Sequence, residues 1–156
     1  MLTHSEENYL KAIYHLSLIE DNGVSTNAIA QKMNTKASSV TDMIKKLSEK
    51  GFMNYQKYQG VSLTKEGKMT AKMVIRKHRL WEVFLVEKLD FSWDEVHIVA
   101  EELEHIKSEK LINKLDAFLG FPKEDPHGDP IPNAKGEVFI LEKLLLNETD
   151  ANSICI

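Results

Sequence analysis

Residues 36–63 read KASSVTDMIKKLSEKGFMNYQKYQGVSL, and a change of hydrophobic period inside this stretch decides the fold. Val40, Met43, Ile44 and Leu47 recur at helical spacing, so the first half predicts a helix with one apolar face. Gly51 stops it. Met53-Asn54-Tyr55-Gln56-Lys57-Tyr58 and Val61-Ser62-Leu63 then read as two extended pieces joined by a turn at Gln59-Gly60. Upstream, Ser25-Thr26 caps a short helix carrying Ala28, Ile29, Ala30 and Met33, and Asn34-Thr35-Lys36 breaks it. Apolar residues at 9, 10, 13, 14, 16 and 18 predict an amphipathic helix over 5–19, ended by Asp21-Asn22-Gly23. The order is helix, turn, helix, wing.

Downstream, Thr64 caps a long helix over about 65–89, followed by helices over 93–107 and 108–119, the last ended by Gly120. All four prolines fall within 121–136, which predicts an ordered loop. Residues 137–146 are expected to be a short strand or helix. The fold class is mainly α: a winged helix-turn-helix domain over 1–72, and a second, helical domain over 73–142. Residues 143–156 are expected to be a flexible tail. Leu80, Trp81, Phe84, Leu85, Leu111, Ile112, Leu115 and Phe118 give the later helices more apolar surface than one small subunit covers, which predicts a two-fold dimer.

Net charge is −4, and its distribution matters more than its sum. Residues 1–34 carry −2, residues 35–79 carry eleven Lys/Arg against three acids, and residues 80–156 carry seven against seventeen. A basic block beside an acidic one suggests phosphates for the first and cations for the second. On charge alone, a merely solvated surface fits equally well. No apolar run approaches the roughly 20 residues of a membrane span, and no secretory signal opens the chain. Cys155 is the only cysteine, so no internal disulfide forms. These features predict a cytoplasmic protein without membrane contact.

In a helix-turn-helix the second helix places its N-terminal end in the major groove. Here that end offers Lys36, Ala37, Ser38, Ser39 and Thr41, small or hydroxylic residues that allow close approach. Lys36, Lys45 and Lys46 on this helix and Lys57 on the wing are expected phosphate contacts. No arginine stands where a bidentate guanine reader would, so sequence preference leans on DNA shape. The bland alternative is a three-helix core with ordinary Ser and Thr caps; the basic excess and the wing count against it.

The sharpest polar constellation lies on the fifth helix. At about 100° per residue, His97, Glu101, Glu104 and His105 share one arc, and Val96, Val99, Leu103 and Ile106 lie opposite. His78 and Glu82 repeat the i, i+4 spacing on the preceding helix, and Asp125-Pro126-His127 adds alternate ligand-type residues on the loop. Any single histidine is more often a surface or core residue than a ligand. Several such coincidences around one segment are not.

Ser5-Glu6-Glu7-Asn8-Tyr9-Leu10, Arg76-Lys77-His78-Arg79-Leu80, Val96-His97 with Glu104-His105, and Pro126-His127-Gly128 with Ile131-Pro132 occur in order. In this the sequence resembles the diphtheria-toxin-repressor family over about residues 5–140. The resemblance implies a homodimeric repressor on a palindromic double-stranded operator, with a DNA-binding domain over 1–72 and a dimerisation and metal-binding domain over 73–142, activated by Mn(II) or Fe(II) and controlling metal-uptake genes. It implies that His78, Glu82 and His97 form one metal site and that Glu101, Glu104 and His105 form another. Position 101 is cysteine in iron-type members and glutamate in manganese-type ones, as here. Asn8 matches a ligand position held elsewhere by Met or Asp, and offers a neutral amide oxygen. Lys11 stands where some manganese repressors place a ligating Glu. Asp125 and His127 resemble a Cys-Pro-His ligand pair, with Asp in the Cys position. No SH3-like third domain is expected.

Carboxylate, amide and imidazole without thiolate suit Mn(II), although Zn(II) or Co(II) would substitute in vitro. Two readings compete. A dinuclear metalloenzyme would use the same ligands to activate water, but no nucleophile or further acid/base stands in a defined setting, so no enzyme is expected. A winged-helix regulator of an organic ligand would leave the His/Glu face structural, and chelator-sensitive DNA binding separates it from a metal sensor.

Overall fold

The computed structural model describes residues 1–138; the segment expected at 137–146 lies mostly outside them, and the tail with Cys155 wholly so. The chain divides into two compact units, Met1–Val74 and Ile75 onward. In order the elements are α1 (His4–Ser17), α2 (Thr26–Met33), α3 (Ala37–Glu49), β1 (Met53–Gln56), β2 (Gly60–Leu63), α4 (Lys65–Leu89), α5 (Trp93–Leu103) and α6 (Glu109–Phe118). α4 begins in the first unit and runs into the second.

The first unit is built by its caps and one apolar core. Thr3 and Glu6 close a capping box on α1, and Ser25 accepts from the Ala28 amide to start α2. Asn34 ends α2 with a left-handed φ of 51°. Leu10, Ile13, Val24, Ile29, Val40, Leu47 and Val61 are fully excluded from solvent and pack together. Each contributes about 1.5–3 kcal/mol by burial.

Antiparallel β1 and β2 pair Met53 with Leu63 and Gln56 with Gly60. Val61 and Leu63 face in and Ser62 faces out, the period-2 pattern of a half-buried strand. The turn therefore occupies Lys57-Tyr58-Gln59, and not Gln59-Gly60 as the composition predicts. Gly60 is needed one step later, at the root of the strand. It has φ +80°, and a Cβ there would stand 2.7 Å from the Val24 carbonyl oxygen. Gly23, at φ +93°, would bring a Cβ to 2.2 Å from the Gln59 carbonyl oxygen. Reciprocal Val24–Val61 backbone bonds of 2.8 Å pull the two segments together. Gly60→Ala or Gly23→Ala is expected to cost about 2–3 kcal/mol, from strained φ plus backbone collision, read as a lowered urea midpoint.

Glu6 is wholly buried, although Lys50 (2.7 Å) and Lys46 (3.3 Å) from the end of α3 reach its Oε1. Burial alone would raise its pKa. The hydrogen bond from Lys50, then the Thr3 amide and Lys46, outweigh burial and hold it at about 2, against an ordinary 4.5. A depressed carboxyl stabilises above its unfolded pKa, and that contribution is lost as pH falls from about 4.5 toward 2. At about 1.4 kcal/mol per unit, and discounted because both lysines are half-exposed, it amounts to roughly 2 kcal/mol. Glu6→Gln should lose about that much at pH 7, and its stability should fall less than wild type between pH 5 and 2. Parallel acid limbs in urea melts would contradict the assignment.

In the second unit, Leu80, Val83, Ile112, Leu115 and Ile131 form the core, and Trp81, Phe84 and Leu119 pack on it. The eight-residue dimer surface expected from sequence therefore splits. Leu80, Leu85, Ile112 and Leu115 are internal, whereas Leu111 and Phe118 are 41 % and 64 % exposed. Ser108 caps α6 and Gly120 follows its end at φ +78°. α5 stops at Leu103, short of the expected 107. The Ile106 amide bonds to Leu103, and Lys77 Nζ takes the Ile106 carbonyl at 3.2 Å, so the chain leaves the helix before the Ser108 cap.

Candidate metal centre

The polar residues of α5 do not share one environment, because its buried stripe runs through Glu104. His97 and Glu101 are exposed on the helix, with side chains 57 % and 52 % accessible. Glu104 is the C-cap residue and His105 lies beyond it, and both are buried. The buried side of α5 is Val96, Ala100 and Glu104, successive i+4 positions.

α4 supplies His78 and Glu82 from adjacent turns of one buried face. Glu82 Oε1 is 2.7 Å from His78 Nε2 and 3.4 Å from His97 Nδ1. Glu82 Oε2 lies 3.4 Å from Nδ1 of His127. Among the described residues two groups converge tightly enough to hold an ion: His78, Glu82 and His97, and Glu82, Asp125 and His127. Glu82 belongs to both. Within each group the ligand atoms lie within 4.8 Å of one another. Ligand bonds of about 2.1 Å place neighbouring ligands roughly 3–4 Å apart, so small adjustments suffice.

His78 turns its other nitrogen to Glu104, with Nδ1 to Oε2 at 2.6 Å. That contact fixes the ring so that Nε2 faces Glu82 and His97. Glu104 Oε1 lies 3.7 Å from His105 Nε2, and Glu101 Oε1 lies 3.0 Å from His97 Nε2. Thus Glu101, Glu104 and His105 are distributed over three pairings and do not form a converging group of their own among the described residues. Asn8 sits half-buried on α1, in the first unit.

Burial would raise the Glu82 carboxyl, but hydrogen bonding and charge from His78 lead the effects that lower it to about 2. Asp125 moves the other way: burial raises it, the Asp129 backbone bond opposes, and Glu82's negative charge raises it further. The centre therefore holds one firmly ionised carboxylate against one that is reluctant to ionise, the condition a cation relieves. A second observation fits an ion. Glu82 Oε2 is a buried oxygen that faces His127, and the same carboxylate is hydrogen-bonded by Asp125 while that acid keeps its proton, a proton that a bound cation would displace.

The loop that delivers Asp125 and His127 is tied down by its own backbone. Asp125 Oδ1 accepts from the His127 and Asp129 amides at 2.9 and 2.8 Å, leaving Oδ2 toward His127. From α4, Arg76 donates to the Pro132 carbonyl and Arg79 to the Pro130 carbonyl. Both arginines stand in the sequence stretch that resembles the family, but nothing in their spacing reveals that they hold the loop. Trp93 packs edge-on against His127 with ring centroids 5.6 Å apart.

In the first unit, Lys36, Ala37, Ser38, Ser39, Thr41 and Lys45 are all exposed at the start and outer face of α3, and Lys57 is exposed on the hairpin turn. Thr41 donates back to the Ala37 carbonyl. Lys46 is exposed but engaged by Glu6.

Known proteins resemble this chain in sequence and in fold. Residues 1–61 match the iron dependent repressor N-terminal DNA binding domain, and residues 64–133 match the iron dependent repressor metal binding and dimerisation domain. The HTH-type transcriptional regulator MntR of Oceanobacillus iheyensis is 33 % identical over 126 residues, covering 80 % of this chain and 84 % of that protein. The iron-dependent repressor IdeR of Mycobacterium tuberculosis is 33 % identical over 133 residues, covering 84 % of this chain and 56 % of that protein. A solved manganese-dependent transcriptional repressor in complex with manganese superposes with a TM-score of 0.77 at 44 % identity, over 85 % of this chain and 61 % of that one. The chain thus spans little more than half the length of some relatives and most of others.

Proposed function

The chain belongs to the iron-dependent repressor family, and we propose that it is a metal-dependent DNA-binding transcriptional repressor whose activating ion is Mn(II). The observation that carries this reading is the convergence of His78, His97, Asp125 and His127 on the shared carboxylate of Glu82. These are imidazole and carboxylate donors without thiolate, a set that suits Mn(II) or Fe(II). Zn(II) or Co(II) would bind in vitro. When bound, the ion supplies positive charge that the Glu82–Asp125 pair lacks. The chain's residues do the rest: Glu104 orients His78, Arg76 and Arg79 hold the loop, and Glu82 ties helix to loop. Glu101, Glu104 and His105 are retained as candidate ligands of a second ion.

Metal then lowers the ordering cost of binding DNA, and by linkage DNA raises metal affinity by the same factor. The working unit is a homodimer in the cytoplasm whose two recognition helices read a palindromic operator of metal-uptake genes. Lys36, Lys45 and Lys57 neutralise phosphates, with Ser38, Ser39 and Thr41 nearer the bases. Alanine at any one of these three lysines is expected to flatten the log–log salt dependence of DNA affinity by about one unit, whereas Lys46→Ala should do less because Glu6 already holds that charge.

The test is DNA affinity measured anaerobically against buffered Mn(II), Fe(II) and Zn(II), on duplexes selected from a random pool by the Mn(II)-loaded protein. Affinity should rise with Mn(II), and a chelator should reverse it. Equal binding with and without metal would overturn the reading, and point to the organic-ligand regulator.

A further inference from the structure

Tyr58 stands at the centre of the Lys57-Tyr58-Gln59 turn with 95 % of its surface exposed and a left-handed φ of 73°. The Gln59 amide bonds back to Gln56 at 3.0 Å, so Tyr58 holds the third position of a four-residue turn, where that φ normally selects glycine or asparagine. A β-carbon in this region is strained, and so exposed a tyrosine ring adds little to the fold beyond its contact with Lys57. The turn keeps a costly residue whose one described ring contact is with its neighbour Lys57.

The strained tip is also rigidly mounted. Gly23 and Gly60 let the 22–24 segment lie directly against the hairpin root, and Val24–Val61 bonds lock it there. Lys57 Nζ sits 5.4 Å over the Tyr58 ring, so a cation and an aromatic face are presented together. The surrounding residues 35–79 carry eleven basic groups against three acidic ones, which selects a polyanion as the occupant.

We infer that Tyr58 is a specificity-determining residue that enters the DNA minor groove beside the half-site read by α3. The phenol hydroxyl donates to the N3 or O2 acceptors that A·T pairs expose there, the ring lies along the sugars, and the amino group of guanine blocks entry. The inference rests on the DNA-binding reading above, so the experiment separates the two.

The probe is a duplex selected by the Mn(II)-loaded wild type, with its flanking A·T pairs replaced in turn by inosine·C or by diaminopurine·T. Inosine·C keeps the minor-groove face of A·T, and diaminopurine·T gives it that of G·C. Wild type should keep its affinity on inosine·C and lose about tenfold on diaminopurine·T. Tyr58→Gly should be equally stable or melt higher, bind the parent duplex about tenfold more weakly, and lose the diaminopurine penalty. Tyr58→Phe should retain the packing but only part of the A·T preference. Tyr58→Gly binding as wild type, or an unchanged diaminopurine penalty, would overturn the inference and leave the repressor reading standing. No Mn(II)-dependent binding by wild type would overturn both.

Discussion

Glu82→Gln is expected to lower Mn(II) affinity on the order of 100-fold or more and to abolish metal-stimulated DNA binding. Glu82 is common to the two converging groups among the described residues, with Oε1 toward His78 and His97 and Oε2 toward His127. Glutamine keeps the shape but replaces a firmly ionised carboxylate by a neutral amide. One edge of that amide is an NH2 that cannot ligate. Without metal, glutamine can still meet His78 Nε2, so the melting temperature should move by only a few degrees. Mn(II) binding can be followed through Trp93, whose ring lies 5.6 Å from that of His127 and should be quenched by a paramagnetic ion at Glu82 and His127. Glu102→Gln is the control, because Glu102 is exposed on α5 and belongs to neither converging group. A Glu82→Gln protein that titrates like wild type would place the ion elsewhere.

The residue identities in this centre were legible because ligand chemistry restricts the alphabet: only a few side chains bind such ions, and their helical spacing is fixed. His78 and Glu82 had to share a face once α4 was recognised as a helix. The grouping was not legible. Nothing local places Asp125 and His127 against Glu82, because that contact depends on a loop of four prolines whose path is set by Arg76 and Arg79, more than forty positions earlier in the chain. The arc on α5 failed for a related reason. Periodicity gives the angle of each side chain, but which angle is buried is set by tertiary packing, and the buried stripe of Val96 and Ala100 continues through Glu104 while His97 and Glu101 stay exposed. The wing shows the same limit: Gln59-Gly60 looks like a turn, yet Gly60 is fixed by the approach of Val24, a tertiary constraint.

Arg76 carries the second large effect. Its side chain is 4 % exposed; Nη1 donates to Asp116 Oδ2 at 3.0 Å and to the Pro132 carbonyl at 3.3 Å, and Nη2 to Asn113 Oδ1 at 3.3 Å. One guanidinium therefore joins α4 to α6 and to the loop, in a geometry that a lysine cannot reproduce. Removing one member of a buried ion pair costs about 3–5 kcal/mol. Asp116 keeps some access to water and can be partly rehydrated, so Arg76→Met should fall near 3 kcal/mol, or roughly 10–20 °C in the melting of the second unit. Asp116→Asn should cost less, since Arg76 retains the Pro132 and Asn113 oxygens, and the double variant should cost less than the sum of the two. The functional consequence follows from the Pro132 bond. Once the loop is free to shift, Asp125 and His127 are no longer held opposite Glu82, and Mn(II) affinity should drop about 10–100-fold even in Arg76→Met protein that remains folded at low temperature. The two losses can be measured separately by calorimetry and by Trp93 quenching. An Arg76→Met protein that melts lower but binds Mn(II) normally would show that the loop keeps its place without the arginine.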